Sequence, residues 1–422
     1  MNIMVIGGGG REHAIIKKIK ENPKAETIYA LPGNGGMEDD CICTGVGAED
    51  LPAIVEFAKT HAIDFAVVAP DDPLVMGCVD LLEAEGIPCF GPNKEAAIIE
   101  GSKAFSKELM KAYGIPTAAY ETFTEMEEAL DYVQECKIPV VIKADGLAKG
   151  KGVTIAQTRE EAVKAVNSMM EDKIFGDSGS CVVIEEYLEG PEVSVLAFTD
   201  GNTLVPMVSS MDHKRAYDGD QGPNTGGMGT VAPNPYYTEA VAEQCAEEIF
   251  LPTMIAMNKE GRTFKGCLYF GLMITADGPK VIEYNCRFGD PETQVVLPLL
   301  TSDLLDIMLH VSEGTLAEAE VTFSDQAACC VVLASKGYPG SYEKGCPLEI
   351  PEDLAHVFIA GARKGEQGQL LSNGGRCIGV TECADTLAEA IDKAYTSVKR
   401  IGFENGFYRN DIGQRALKAL EA

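Results

Sequence analysis

Over the first hundred residues, short apolar runs alternate with stretches of helical spacing: "NIMVIG", "REHAIIKKIKEN", "TIYALPG", "LPAIVEFAKTHAI", "DFAVVAP", "LVMGCVDLLEAEGI" and "CFGP". Buried strands separated by amphipathic helices predict an α/β domain built on a doubly wound parallel sheet, over residues 1–101. Ligands of such sheets gather at the carboxyl ends of the strands. Here those ends carry "GGGGRE", "PGNGG" and "APDDP". From Gly101 the pattern changes. A helix in "SKAFSKELMKAYG" leads to a second around Met126 to Cys136, then to the apolar strand "IPVVIKADG", a glycine loop, a helix near Glu160 to Met170 and "CVVIEEYLEGPEVSVLAFTDG". This order predicts a small α+β lobe, about 120–192, laid over a larger one, the two together spanning 102–325. A helix near Thr238 to Asn258 precedes the strands "GCLYFGLMIT" and "KVIEYNCRFGDPE". "AACCVVLAS" then opens a β-rich C-terminal domain, 326–422, closing with a helix over Thr386 to Lys399 and "GFYRNDIGQRALKALEA".

A chain of 422 residues has room for several cores, which agrees with that division. Its 35 Lys and Arg against 65 Asp and Glu give a formal charge of -30. Such a surface repels a phosphate backbone, so nucleic acid is not an expected partner, and basic contacts to any anionic ligand must be local. No run of about 18 apolar residues predicts a membrane span. The opening "MNIMVIGGGG" reads as a first strand rather than a signal peptide. Fourteen cysteines lie scattered through apolar runs, which fits buried thiols in a reducing cytoplasm. Cys41 and Cys43 have no second pair or histidine nearby in the sequence to complete a zinc site.

Several segments carry candidate chemistry. "VIGGGGREHA" departs from G-x-G-x-x-G because Glu12 stands where the last glycine belongs, and the second strand ends "YALPG" without an acid for a ribose. What remains is a glycine turn at a helix N-terminus beside Arg11, which suits a phosphate monoester or serves only as a tight turn. "VVIKADGLAKGKGV" puts Lys143 at a strand end before a loop with Gly146, Gly150, Gly152, Lys149 and Lys151. Amides and point charges of that kind suit a polyphosphate, although the P-loop pattern fails. In "VVIEEYLEGPEVSV", the backbone from Glu185 to Leu188 can face an adenine edge, with Glu192 placed for ribose hydroxyls. Alone, it would read as a strand ending in solvated acids. "KVIEYNCRFGD" alternates along a strand, so Glu283 and Asn285 share a face, about 7 Å apart by a rise of ~3.4 Å per residue, with Arg287 next in line. A carboxylate and an amide oxygen so placed suit Mg²⁺ completed by water and phosphates. "DHKRAYDGDQGPNTGGMG", Asp212 to Gly229, packs charges and then Gly, Pro and Asn into a loop without apolar periodicity. Its bland reading is a solvated surface loop.

Taken together and in this order, "GSKAFSK", "VVIKADGLAKGKGV", "IEEYLEG", "DHKRAYDGDQGPNTGGMG" and "IEYNCRFGDPE" resemble the ATP-grasp ligases. More closely, the chain resembles the phosphoribosylamine–glycine ligase family from "IGGGGREHA" to "YRNDIG". The resemblance implies an ATP-grasp domain with a mobile small lobe, ATP and Mg²⁺ (or Mn²⁺) as cofactors, and glycine and phosphoribosylamine as substrates. It further implies a glycyl phosphate intermediate, with glycinamide ribonucleotide, ADP and phosphate as products of a step in purine biosynthesis. A monomer in the cytoplasm is expected. Carried over residue by residue, Lys103, Lys143, Gly150 and Lys151 contact the nucleotide phosphates, Glu185, Glu186, Leu188 and Glu192 the adenosine, and Glu283 and Asn285 the metal. Asp212 would hold an ammonium group, Lys214 and Arg215 would oppose anionic charge, and Arg287 would take the glycine carboxylate. Gly9, Arg11, Asn34 and Gly35 would hold the ribose phosphate, and Asp71 the ribose hydroxyls. Backbone amides from Asn224 through Thr225, Gly226 and Gly227 would serve as donors, with Gly289 and Asp290 also lining the substrates.

Three departures stand out. The strand before Glu283, "LYFGLMIT", offers none of the acids many ATP-grasp enzymes place there. The family's G-P-E-x-P-L reads "APDDPL", with Ala69 for glycine and Asp71 for a longer acid, and Ala384 replaces a glycine expected in a loop. The rival readings are another carboxylate-amine ligase or carboxylase, which should lack "DHKR…GPNTGGMG", a non-catalytic nucleotide sensor, which would not need Glu283, Asn285 and Arg287, and a nicotinamide oxidoreductase.

Overall fold

The computed structural model describes residues 1–148, 152–172, 174 and 176–421. Five parallel strands form the N-terminal sheet: β1 (Asn2–Gly7), β2 (Thr27–Pro32), β3 (Ile42–Cys43), β4 (Phe65–Val68) and β5 (Cys89–Phe90), in the order β3-β2-β1-β4-β5. Ile3 pairs with Ile28 on one side and Phe65 on the other. Every residue of β4 is buried, as a sheet covered on both faces requires. The strand order reverses at β1, so the loops after β1, β2 and β4 open on one crevice at the carboxyl edge.

The small lobe is an antiparallel sheet of β6 (Tyr120–Phe123), β7 (Val140–Ala144), β8 (Val153–Ala156) and β9 (Val182–Glu186), ordered β6-β9-β7-β8. Helices Met126–Glu135 and Arg159–Met170 cover it with a separate core of small and branched side chains. The chain then leaves that sheet. β10 (Glu192–Thr199) and β11 (Leu204–Pro206) belong to a second antiparallel sheet, with β16 (Gly266–Thr275) and β17 (Gly278–Asn285), and a bulge in the β16–β17 pairing falls between Gly271 and Leu272. The nucleotide-side residues lie where these two sheets face one another. Between β11 and β16, the helix expected near Thr238 to Asn258 is interrupted by a π turn at Ala246–Phe250.

The third sheet begins earlier than the sequence pattern suggests. Strands β12 (Met211–Asp212) and β15 (Gly229–Ala232) pair with each other, and β15 pairs with β18 (Ala327–Ser335). The hairpin β13 (Arg215–Tyr217) and β14 (Gln221–Asn224) lies between them. The sheet continues through β19 (His356–Ile359), and a side hairpin of β20 (Ala362–Lys364) and β21 (Leu370–Ser372) precedes β22 (Arg376–Ala384) and the short β23 (Gly406–Phe407). Thr386 caps the following helix, Leu387–Val398, by accepting the Glu389 amide. Ala384 is the last residue of β22, not a loop residue; it pairs with Ala327 and its methyl is buried in the C-terminal core. The loop opening at Asp212 is therefore mounted on the edge of the C-terminal sheet. No helix among the described residues is long and apolar enough to cross a membrane.

Candidate active site

A buried carboxylate between two ammonium groups organises the nucleotide side. Lys143 Nζ, on β7, donates to Ile282 O at the β17 bulge (2.8 Å) and lies 2.9 Å from Glu185 Oε1, off the line of a hydrogen bond. Lys107 Nζ stands 3.2 Å from Glu185 Oε2 and donates to Thr117 Oγ1 (2.8 Å) and Ala118 O (3.3 Å). Burial, only partly offset by Glu185, brings the Lys107 ammonium down to about 8, with Lys143 adding repulsion. Lys103 Nζ donates to Gly146 O (2.7 Å), and burial lowers its pKa too, against the attraction of Glu283. Three cationic side chains thus converge on one cleft of a strongly acidic protein.

Glu185 was expected at the adenine edge. Its backbone instead lies inside the sheet, between Tyr120 of β6 and Val141 of β7, and its carboxylate faces the lysines. Glu186 Oε1 accepts the Ala119 amide (2.9 Å). Leu188, past the end of β9, has no hydrogen-bond partner for its backbone among the described residues. Glu192 opens β10, with its carboxylate 4.0 Å from Lys214 Nζ. Gly150 and Lys151 lie outside the described residues.

At the other end of the cleft, β17 brings Glu283 and Asn285 onto one face as its alternation predicts. Lys214 Nζ donates to Glu283 Oε1 (3.3 Å), and Arg287 Nη2 donates to Asn285 Oδ1 (3.1 Å). Lys214 holds the Glu283 carboxyl down at about 2 against the effect of burial, and Glu283 raises the lysine. Across the ladder, Gly271 stands opposite Glu283 and Tyr269 opposite Asn285, so the neighbouring strand supplies no acid. Arg287 also pairs with Glu100 (3.2 Å), while its buried Nε has no hydrogen-bond partner. Asp71 heads the helix Asp71–Met76; burial raises its carboxyl, but Arg287 and Arg11 outweigh that and hold it below the usual range.

In the signature loop, much of the hydrogen-bonding capacity turns inward. Thr225 N donates to Lys214 O (2.7 Å), Gly226 N to Tyr338 Oη (3.1 Å) and Gly227 N to Thr225 Oγ1 (3.0 Å). Asn224 pairs with Arg215 across the hairpin. Of the amides expected to serve a ligand, those of Thr225, Gly226 and Gly227 are spent shaping the loop. Arg215 likewise donates to Gly222 O (2.8 Å) rather than facing the cleft. Asp218 and Asp220 bind Asn410 and the buried Arg409, which also donates to Arg215 O (3.1 Å), so "YRND" clamps the hairpin from the far end of the chain. Asp212 and Lys214 alone among these charges turn toward the cleft. Burial, reinforced by Glu292, raises the Asp212 carboxyl.

The N-terminal strand ends also differ from expectation. Gly9 N donates to Glu12 Oε2 (2.6 Å), and Arg11 Nε donates to Glu12 Oε1 (2.5 Å), so Glu12 already takes the anion seat expected at that turn. Asn34 Nδ2 donates to Gly8 O and Ile359 O (both 2.9 Å), and its Oδ1 accepts the Gly36 amide. Gly35 N donates to Ala362 O (3.2 Å). Asn34 and Gly35 are consumed in docking the C-terminal domain. Gly289 O accepts the Thr293 hydroxyl and amide at the start of the next helix. Asp290 accepts Gln294 Nε2 (2.8 Å) and the Arg11 amide (3.3 Å) and pairs with Arg376 (3.4 Å).

Sequence reasoning missed Lys107, Glu100, Glu292, Tyr269 and Arg376. Lys107 had a signal, being four residues from Lys103 on one helix face in "GSKAFSK". Arg376 had none that composition or spacing could reveal.

Facing antiparallel sheets, with Lys143 on one and Glu283 and Asn285 on the other, and Lys103 and Lys107 on the helix Lys103–Tyr113 beside them, define an ATP-grasp ligase. The family profiles agree: the Phosphoribosylglycinamide synthetase N domain matches residues 1–100, the ATP-grasp (A) domain 101–293 and the C domain 328–415. The chain belongs to the phosphoribosylamine–glycine ligase family. It is 50% identical over 420 residues to the phosphoribosylamine–glycine ligase of Halalkalibacterium halodurans, covering 99% of this chain and 97% of that one. The Listeria monocytogenes enzyme of the same name is 49% identical, with 99% and 100% covered. The crystal structure of the phosphoribosylamine–glycine ligase from Thermotoga maritima superimposes with a TM-score of 0.87 at 34% identity, covering 98% of this chain and all of that one. A biotin carboxylase domain from Hydrogenobacter thermophilus shares the fold, with a TM-score of 0.76 at 16% identity over 96% of this chain and 91% of that one.

Proposed function

We propose that this chain ligates glycine to phosphoribosylamine at the expense of ATP, giving glycinamide ribonucleotide, ADP and phosphate in purine biosynthesis. Glycine's carboxylate is a poor electrophile. ATP first converts it to glycyl phosphate, which the amine then attacks. The observation that carries this reading is the meeting of Lys103 and Lys143 with Glu283, Asn285 and Lys214 in one cleft, in a chain matched along its length by the ligase family.

Lys103 and Lys143 neutralise the transferring phosphoryl group, a step that depends on positioning and electrostatics. Gly150 and Lys151 are assigned to the nucleotide phosphates, and Glu186, Leu188 and Glu192 to the adenosine; Glu185 acts through Lys143. The oxygen donors of Glu283 and Asn285 fit Mg²⁺, with Mn²⁺ as a substitute, and they already accept cationic side chains. Glu283 and Asn285 would hold such a cation, which would supply positive charge against the phosphates, and Lys214 would give up its place on Glu283. The unpartnered Nε of Arg287 is a donor for the glycine carboxylate, and Asp212 faces the glycine ammonium. Arg11 and Asp71 are left to the ribose phosphate and hydroxyls. Three domains, 1–101, 102–325 with the small lobe at about 120–192, and 326–422, are assigned to a cytoplasmic monomer.

The test is ADP release from Mg²⁺-ATP with freshly made phosphoribosylamine, with and without glycine, while product is followed by mass. ADP formed in step with glycinamide ribonucleotide supports the reading. ADP dependent on another carboxylate would keep the ATP-grasp fold and overturn the substrate.

A further inference from the structure

Arg376 begins β22, far in sequence from the segments that carry the cleft. Its Nη1 donates to Gly226 O (2.9 Å) in the signature loop and to Asp290 O (2.8 Å) after β17, with Gly227 O at 3.4 Å, and lies 3.4 Å from Asp290 Oδ1. The two hydrogens of one nitrogen therefore bridge the two loops. A Cβ at Gly226 would lie 2.9 Å from the guanidinium carbon, so the close approach needs glycine there. Asp290 in turn accepts the Arg11 amide (3.3 Å) at the N-terminal helix, which makes this contact a node of all three domains. Asp212 and Glu292 also face the guanidinium.

We infer that Arg376 is a positioning residue for the glycine side of the site, fixing the Asp212-bearing loop against the segment that carries Arg287 and Asp290. The inference rests on the ligase reading. Arg376 touches neither Lys103, Lys143 nor the Glu185 cluster, so its effect should fall on glycine and the amine and spare the nucleotide. Lysine reproduces it only in part, since the rigidly held pair of Nη1 hydrogens becomes a freely rotating ammonium on a flexible stem.

The experiment compares wild type with Arg376→Met and Arg376→Lys by steady-state kinetics and by hydrogen exchange on the free enzyme. The expected result for Arg376→Met is a rise of tenfold or more in the KM for glycine, a KM for ATP within twofold, and faster exchange in both 212–229 and 287–291. Arg376→Lys should fall between it and wild type. A fall in kcat without a change in the glycine KM would mean only loss of folded enzyme and would overturn the inference. So would an equal rise in the KM for ATP, unchanged kinetics, or faster exchange in one loop alone. Wild-type enzyme that fails to use glycine would sink the ligase reading instead, while the exchange comparison would still decide whether Arg376 joins the two loops.

Discussion

Lys143 shows how one side chain holds two tasks, since its ammonium spans from the small-lobe sheet to Ile282 O on the opposite sheet while sharing Glu185 with Lys107. Lys143→Ala should reduce kcat/KM by about two to three orders of magnitude, as loss of a preorganised charge does, with a circular dichroism spectrum like wild type; near-normal turnover would remove its assigned role. Glu283→Gln trades a carboxylate for an amide and releases Lys214. A higher Mg²⁺ concentration for half-maximal rate is expected, and an unchanged metal titration would exclude Glu283 as a ligand. His213 offers a prediction about stability. It is fully buried, with Nδ1 3.0 Å from Gly229 O and Nε2 accepting the Gly413 amide (3.1 Å). Burial, with Arg415 and Arg409 nearby, lowers its pKa to about 4, from 6.5 in the unfolded chain. Between those values the unfolded state binds the extra proton, so stability falls as pH drops from 6.5 toward 4, by an amount on the order of 3 kcal/mol. Urea unfolding should show that His213→Asn loses less stability than wild type across this window, and parallel curves would refute it.

The elements explain why the signature loop is so rich in charge and glycine. Asp218 and Asp220 hold the hairpin to "YRND" at the far end of the chain and Arg215 braces it from within, leaving Asp212 and Lys214 for the cleft. Gly227 adopts φ +120°, and a Cβ there would meet Pro291 Cδ at 2.4 Å and Asp212 Oδ1 at 2.6 Å. Gly227→Ala should therefore cost about 1–3 kcal/mol of backbone strain and displace Asp212. Urea unfolding and a fluorescent-nucleotide titration check this together: lower stability and lost ligation with nucleotide affinity kept are expected, and full activity would show that the loop tolerates the shift. Strands and helices were readable from apolar periodicity, as in β4, "AACCVVLAS" and the helix after Thr386. Membership of a sheet was not. β12 pairs with β15 and β15 with β18, a long-range arrangement that no local pattern encodes.

For the whole molecule, the small lobe has a core of its own, so the closure over the nucleotide that the ligase reading expects would break no other core. Mg²⁺ with a non-hydrolysable ATP analogue should slow limited proteolysis within 120–186, and an unchanged cleavage pattern would argue against closure over the nucleotide. The sequence by itself determined the layered classes of the domains and the family, and it pointed to candidate groups whose placement is local: Lys103 and Lys143, and the alternation that sets Glu283 and Asn285 on one face. Only the tertiary structure decided which polar groups remain available. Asn34, Gly35, Arg215, the Gly9 amide and the amides of Thr225 to Gly227 resemble ligand contacts in sequence, yet each already has a partner inside the protein. Arg376 reaches the site from a distant strand. The physical reason is common to both: a buried hydrogen-bonding group must be satisfied, and whether a ligand or the protein satisfies it depends on segments brought together only by the fold.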